Sequence, residues 1–263
     1  MMRDEAIAGA DKQAVVDFWE SAACGEQLYL SGSTYMDQAA ARYRLEPYIE
    51  NFARFQDWKG KRVLEIGVGL GADHQRFAEA GAELSGVDIT ERAVEHARRR
   101  FAVFDLHSDL RVADAERLPF ADNTFDLVYS WGVIHHTPDT GRAAREIVRV
   151  LKPGGEYRVM IYHRASLVGL MLWLRHPSVS MAKVYARHLE SPGTKAYSRA
   201  EAQHLFPGCS TRVQLTHGDL LESGAGQRHQ GTVLAIARHI WPRFILRRLA
   251  KPFGLFLLIA GRK

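Results

Sequence analysis

The chain has 263 residues, of which 46% are hydrophobic and 25% charged, and it carries a formal net charge of +5. That length holds one large α/β domain with a buried core, and that composition excludes disorder as the default state. The longest apolar runs, Ser166–Leu174 and Gly254–Ala260, are too short to span a bilayer, and the charged start MMRDEAIAGADKQ lacks the apolar core of a signal peptide, so the expectation is a cytoplasmic protein.

The first sixty residues read as helices. Asp11 can cap a segment with Val15, Phe18 and Trp19 on one side, ending near Cys24 and Gly25. A loop from Gln27 to Thr34 follows, and then MDQAAARYRLEPYIENFARF, in which Pro47 begins a new helix with Ile49, Phe52 and Phe55 as its buried stripe. Helices in this position form a lid over a pocket or pack on a sheet.

KRVLEIGVGLG, Lys61 to Gly71, is a buried strand that stops in a glycine turn. Asp73, His74, Gln75, Arg76 and Glu79 then alternate with Ala72, Phe77, Ala78 and Ala80 at helical spacing until Gly81. The pattern repeats downstream. Strands are expected at Ala82–Val87, Leu110–Ala113, Phe125–Ser130 and Glu156–Tyr162, and helices at Thr90–Phe104, capped by Thr90, and at Asp139–Leu151, stopped by Lys152-Pro153-Gly154-Gly155. Strands alternating with helices at this spacing make a parallel sheet covered on both faces. An apolar and basic insertion, residues 163–196, interrupts it. A capping box at Ser198 and Glu201 opens a helix to Phe206, Thr211–Thr216 alternates like a strand, a second insertion follows at 219–252, and Phe253–Gly261 is a last apolar strand. From Ser223 onward there is no acidic residue against eight Lys and Arg, a charge that suits an anionic membrane surface, an acidic substrate or a solvated face. Cys24 and Cys209 read as free thiols, and no Cys/His pattern argues for a metal.

Strand, glycine turn and helix in that order form the entrance to a nucleotide-type pocket. Gly67, Gly69 and Ala72 also satisfy the dinucleotide pattern, and Asp88 stands where an acidic residue binds ribose, so a nicotinamide-dependent oxidoreductase is one reading. Asp114, at the end of the third strand, breaks the tie because a carboxylate there accepts from an adenine amino group. No tyrosine is followed four residues later by lysine, which weakens hydride transfer further.

VLEIGVGLG, GVDIT, VADAERLPF, FDLVYSWGVIHHTPD and REIVRVLKPGGEYRV, in this order and spacing, resemble the motifs of class I S-adenosylmethionine-dependent methyltransferases of the UbiE-like, small-molecule type. The resemblance covers about Lys61 to Tyr162, and FGLFLLIAGRK is similar to the antiparallel seventh strand of that fold. It implies a Rossmann-like, seven-stranded, mostly parallel sheet with helices on both faces. The whole chain then reads as a single methyltransferase domain, with residues 1–60 as a helical lid, 61–162 as the cofactor core, and 163–197 and 218–252 as insertions capping the acceptor.

Carried over by position, the resemblance implies that Glu65 and the backbone of Gly67, Val68 and Gly69 hold the methionine portion of S-adenosylmethionine. Asp88 holds the ribose, Ile89 covers adenine, Asp114 and Ala115 read the adenine edge, and Ser130 touches the amino acid group. Methyl transfer asks chiefly for in-line placement and, where needed, removal of an acceptor proton. His135 and His136 after the fourth strand, and Tyr35 in the lid, are the candidate catalytic residues; Tyr29, His163 and His217 read as packing or solvent residues. The apolar insertion with Leu167, Leu170, Met171, Leu172 and Trp173 suits an apolar or lipid-like acceptor site and equally packing on the sheet edge or a dimer contact; oxygen is the first choice of methylated atom, with nitrogen, carbon and sulfur open. Arg243, Arg247 and Arg248 beside Phe244, Ile245 and Leu249 suit a peripheral membrane contact, whereas nothing resembles a nucleic-acid recognition module. A membrane-surface or partner-binding protein with a vestigial cofactor pocket is the non-enzymatic alternative.

Overall fold

Short apolar runs alternating with amphipathic helices build one mixed sheet with helices packed on its faces. The computed structural model describes residues 2–21, 23, 26, 34–188, 191–216 and 253–263. Cys24, Tyr29, His217 and the basic second insertion therefore lie outside the described residues.

The N-terminal part supplies α1 (Met2–Ser21), α2 (Tyr35–Leu45) and α3 (Tyr48–Ala53), the last opened by Pro47 as the sequence predicts. The alternating core follows: β1 (Arg62–Ile66), α4 (Ala72–Glu79), β2 (Glu83–Asp88), α5 (Glu91–Val103), β3 (Asp109–Val112), β4 (Phe125–Trp131), α6 (Thr140–Val150) and β5 (Leu151–His163). The first insertion folds into α7 (Leu167–Arg175), α8 (Met181–His188) and the two-residue strand β6 (Ala196–Tyr197). The chain closes with α9 (Arg199–Gln203), β7 (Ser210–Thr216) and β8 (Phe256–Arg262).

The seven principal strands run in the order β3-β2-β1-β4-β5-β8-β7, and β6 pairs with β5 off this path. Strands β1 to β5 are parallel, while β8 is antiparallel to both its neighbours, β5 and β7. The order reverses at β1, which pairs with β2 on one side and β4 on the other, so a crevice opens at the carboxyl end of β1.

The period-2 alternation sorts side chains between the two faces. Leu64, Ile66 and Val128 pack with Ile147 and Val150 of α6, whereas Val63, Leu127 and Tyr129 pack with Phe77, Phe101 and Ile49 on the other side. Local signals set the helix ends. Thr90 accepts from the Ala93 amide, Asp139 from that of Arg142, and Ser198 with Glu201 forms the predicted capping box.

Several boundaries differ from expectation: Asp11 lies inside α1 rather than at its start, α9 ends at Gln203 rather than Phe206, β8 starts at Phe256 rather than Phe253, and β5 starts at Leu151 rather than Glu156. The glycines of the Lys152–Gly155 stretch are drawn into the sheet by Lys263, whose amide donates to the Gly155 carbonyl while its carbonyl accepts from the Gly154 amide, each at 3.0 Å. The partner lies more than a hundred residues away, so no local pattern announces the pairing.

Helix α2 is fastened to the sheet by a buried charge. Asp73, in the first turn of α4, accepts from Arg42 Nε at 3.1 Å and Nη2 at 2.7 Å, from Tyr43 Oη at 3.0 Å and from Tyr129 Oη at 2.8 Å. Burial alone would raise the Asp73 pKa, but Arg42 and these hydrogen bonds hold it below the usual value. Removing one partner of such a pair strands the other in a desolvated site. Asp73→Ala is therefore expected to cost about 3–5 kcal/mol in urea unfolding; a loss below about 1 kcal/mol would show that Arg42 re-solvates easily and does not fasten the lid.

Candidate functional site

The crevice at the end of β1 opens into a pocket whose floor is the glycine turn. Gly67 and Gly69 adopt φ of 81° and 50°, in the left-handed region that disfavours other residues. A Cβ on Gly67 would meet Val133 Cγ2 at 2.1 Å, whereas one on Gly69 would meet nothing within 4 Å. The first glycine thus closes the turn against the chain after β4, and the second leaves open space above the backbone.

Three carboxylates stand around this turn, one in or just after each of β1, β2 and β3. Asp88 ends β2 and is aimed by its own backbone. Its Oδ1 accepts from the Thr90 amide at 3.1 Å and hydroxyl at 2.9 Å, and its Oδ2 from the Gly69 amide at 3.2 Å. Burial nevertheless raises its pKa. Asp114 follows β3; one oxygen accepts from the Glu116 amide at 2.9 Å and the other from Lys12 Nζ of α1 at 2.5 Å. Lys12 also reaches buried Glu116 at 2.8 Å. Ile89 and Ala115 line the pocket beside these carboxylates.

Glu65, buried in β1, lies 2.9 Å from His74 Nδ1 of α4. His74 Nε2 lies 2.8 Å from Ser108 Oγ, whose hydroxyl donates to the Leu84 carbonyl at 2.9 Å. Ser108 therefore accepts from Nε2–H, and in the neutral ring Nδ1 is an acceptor. Burial drives the His74 pKa down to about 3, and burial, with Asp73 nearby, drives that of Glu65 well above the ordinary value. Both directions favour a proton on the Glu65 side of the pair, with Arg42 opposing it.

The N-terminal helices form the opposite wall, with Lys12, Val15 and Trp19 from α1 and Gln38, Arg42, Leu45 and Glu46 from α2. Beyond the glycine turn the pocket becomes aromatic, where Trp19, Trp131, Tyr162 and Phe256 gather with Met160. Tyr48 backs this wall, stacked on Trp131 with centroids 5.9 Å apart.

The candidate catalytic residues separate. His136 lines the pocket, edge-on to Trp19 at 5.5 Å, and its Nδ1 lies 3.0 Å from Thr194 Oγ1 and 2.8 Å from Ser191 Oγ. Both hydroxyls come from the segment between α8 and β6, so the first insertion braces the imidazole. Lys195 adds to this brace through the carbonyls of Thr137 and Pro138. His135 is fully buried behind its neighbour and does not line the pocket; burial, followed by His136 and Lys195, depresses its pKa well below the usual value. Tyr35 also lies outside the lining, with Arg100 over its ring at 5.2 Å. Ser130 is buried under the β1–β4 pairing, its hydroxyl without a hydrogen-bond partner among the described residues. His163 is bonded through Nδ1 to the Gly254 carbonyl at 3.0 Å and takes no part in the pocket lining.

Lys12, Arg42, Asp73, His74 and the aromatic wall were not singled out from sequence as pocket-forming residues. Asp73 and His74 share the glycine turn's own helix, which was the available signal; the others approach from distant segments. Among the described residues there is no cluster suited to a metal and no helix long and apolar enough to cross a membrane. Cys209 is a half-buried free thiol.

A family model described as "Methyltransferase domain" matches residues 64–159. Among curated relatives, the 27-O-demethylrifamycin SV methyltransferase of Amycolatopsis mediterranei is 38% identical over 99 residues, 36% of this chain and 36% of that protein. The ubiquinone/menaquinone biosynthesis C-methyltransferase UbiE of Desulfotalea psychrophila is 31% identical over 149 residues, 50% of this chain and 60% of that protein. The match thus spans less than two thirds of either relative. A solved Haemonchus contortus phosphoethanolamine N-methyltransferase 2, in complex with phosphomonomethylethanolamine and S-adenosylhomocysteine, superposes with a TM-score of 0.58 at 19% identity over 84% of this chain and 52% of that one, a likeness of fold.

The His74 geometry is open to measurement without any ligand. Its folded pKa lies below the unfolded value, so the stability it contributes is present above about pH 6.5 and is lost as pH falls toward about 3. Nitrogen-15 NMR of the ring is expected to show a neutral Nε2–H tautomer at pH 5; an imidazolium there would mean that Glu65 is ionised instead.

Proposed function

We propose that the chain is a class I S-adenosylmethionine-dependent methyltransferase that transfers the methyl group of that cofactor to an apolar small molecule, at oxygen as the first choice, a reading supported by the matching family model and the methyltransferase relatives. The observation that carries the reading is the set of three carboxylates, Glu65, Asp88 and Asp114, arranged about one open glycine turn.

The residues fit the cofactor in its chemistry. Asp88 has carboxylate lone pairs for ribose hydroxyls, and Asp114 can accept from an adenine amino group beside Ile89 and Ala115. The open backbone at Gly69 admits a ligand where a side chain would block it. Glu65 answers the methionine ammonium, which would stabilise its ionised form and return it to a paired carboxylate. Lys12, which holds Asp114 in the free protein, must yield or share that carboxylate, leaving Glu116 as its own partner. Ser130 and His135 act behind the wall, as packing groups.

When bound, S-adenosylmethionine supplies a methyl group already activated on sulfur. The chain's part is placement, exclusion of water and proton removal. The lid helices cover the pocket, the aromatic wall holds an apolar acceptor, and His136, oriented by Ser191 and Thr194, is the base that takes the acceptor's proton. Tyr35, outside the lining, has no role in this scheme. The relatives named for O- and C-methylation support the reaction class and leave the atom to the acceptor wall.

Calorimetry is expected to show S-adenosylhomocysteine binding, weakened in Asp88→Ala by about 1.5–3 kcal/mol through the lost charged hydrogen bonds. Binding of NADH in its place would overturn the assignment. Labelled S-adenosylmethionine incubated with extracts should identify the acceptor. With that acceptor, His136→Ala should lower turnover by about a hundredfold or more at unchanged S-adenosylhomocysteine affinity; normal turnover would remove His136 from the role of base.

A further inference from the structure

The hairpin of α7 and α8 has two unlike faces. On the inner face Val168, Gly169 and Leu172 are buried against Val184 and Tyr185. A Cβ on Gly169 would lie 2.4 Å from Tyr185 Oη, so the Tyr185 side chain of α8 packs directly on the backbone of α7. Tyr185 also donates to the His163 carbonyl at 2.8 Å and bonds Ser166, the N-cap of α7, at 2.7 Å. The hairpin is therefore a built element. Its outer face is apolar all the same: Leu170, Met171, Trp173 and Leu174 are 43%, 41%, 36% and 63% exposed. At spacings of i, i+1, i+3 and i+4 they form one contiguous stripe.

Charge around the stripe has one sign. Between His163 and Leu189 the sequence contains no Asp or Glu, and Arg175 and Lys183 flank the exposed apolar residues, with Arg187 further along α8. Tyr162 at the end of β5 pairs with Phe256 at the start of β8, and Phe256 pairs with Thr216 at the end of β7, so β7 ends and β8 begins at the end of the sheet that bears the hairpin. Phe253, just before β8, is 51% exposed.

The inner face is continuous with the pocket. Met160, Tyr162 and Phe256, which line the acceptor end, belong to the same apolar cluster as Val168, Leu172 and Val184. Exposed apolar side chains on a hairpin that carries Arg175 and Lys183 and no acid of its own match an interfacial helix.

We propose that the α7–α8 hairpin docks the protein on an anionic lipid surface. Leu170, Met171, Trp173 and Leu174 enter the acyl boundary, Arg175 and Lys183 meet the headgroups, and the acceptor end of the pocket faces the bilayer from which an apolar acceptor is drawn. The last step rests on the apolar-acceptor reading above; the docking does not.

Co-sedimentation of the full chain with vesicles tests it. Binding is expected to phosphatidylcholine vesicles containing phosphatidylglycerol, much less to phosphatidylcholine alone, and is expected to weaken as salt is raised. Leu170→Asp with Leu174→Asp should cut partitioning by roughly tenfold or more, with S-adenosylhomocysteine affinity and thermal midpoint unchanged, since both side chains are outside the core. Arg175→Ser with Lys183→Ser should remove the preference for the anionic vesicles. The proposal is overturned if the wild type ignores both vesicle types, or if the Leu170/Leu174 variant binds as well as wild type, which would place the contact elsewhere. It is equally overturned if wild type is a dimer that this variant converts to monomer, which would make the stripe a protomer interface. Vesicle binding with no response to S-adenosylhomocysteine would instead count against the methyltransferase reading and leave the docking intact.

Discussion

The carboxylate of Asp73 holds the pocket together. It sits at the start of the helix that leaves the glycine turn and is satisfied from three directions: by Arg42 and Tyr43 of the lid and by Tyr129 of the central strand. A second arginine works in the opposite sense. Arg100 of α5 donates to Gln75 of α4 at 2.6 Å, to the Tyr35 carbonyl at 2.8 Å and to Gln38 of α2. Helix α2 is thus tied through side chains to α4 and α5. Buried charge is a poor source of net stability, but it is intolerant of misplacement, and misplacement here would open the cofactor crevice.

The same low-dielectric environment sets the proton inventory of the site. Glu65, His74 and Ser108 form a chain whose far end is anchored on a backbone carbonyl, which fixes the direction of every donor in it. A neutral acid at the end of β1 costs the free protein less than an isolated carboxylate would. It also keeps a latent negative charge aimed at the place where a ligand's cation belongs.

Much of this was legible in the sequence where the cause is local. The glycine turn, the caps at Thr90 and Ser198, the strand alternation and the apolar closing strand each follow from residues within a few positions of one another, while the antiparallel direction of that strand came from the family resemblance. Asp88 and Asp114 fall at strand ends and were readable for the same reason. The rest depends on pairings that sequence distance hides. Arg42 meets Asp73 across 31 positions, Lys12 meets Asp114 across 102, and β5 gains its first residues from Lys263. The aromatic wall is likewise drawn from α1, β4, β5 and β8, whose neighbourhood exists only once the sheet order is set. His135 and His136 are adjacent in sequence and their rings lie 4.1 Å apart, yet only His136 lines the pocket, with His135 fully buried behind it.

The strand order separates two parts of the sheet. The carboxylates and glycines belong to β1, β2, β3 and their connections, whereas α7 and α8 follow β5 at the corner where β8 begins and β7 ends. Segments joined at that corner can lengthen, shorten or change composition without shifting the register between β1 and β2, so the half of the sheet that carries the glycine turn is insulated from variation in the other half.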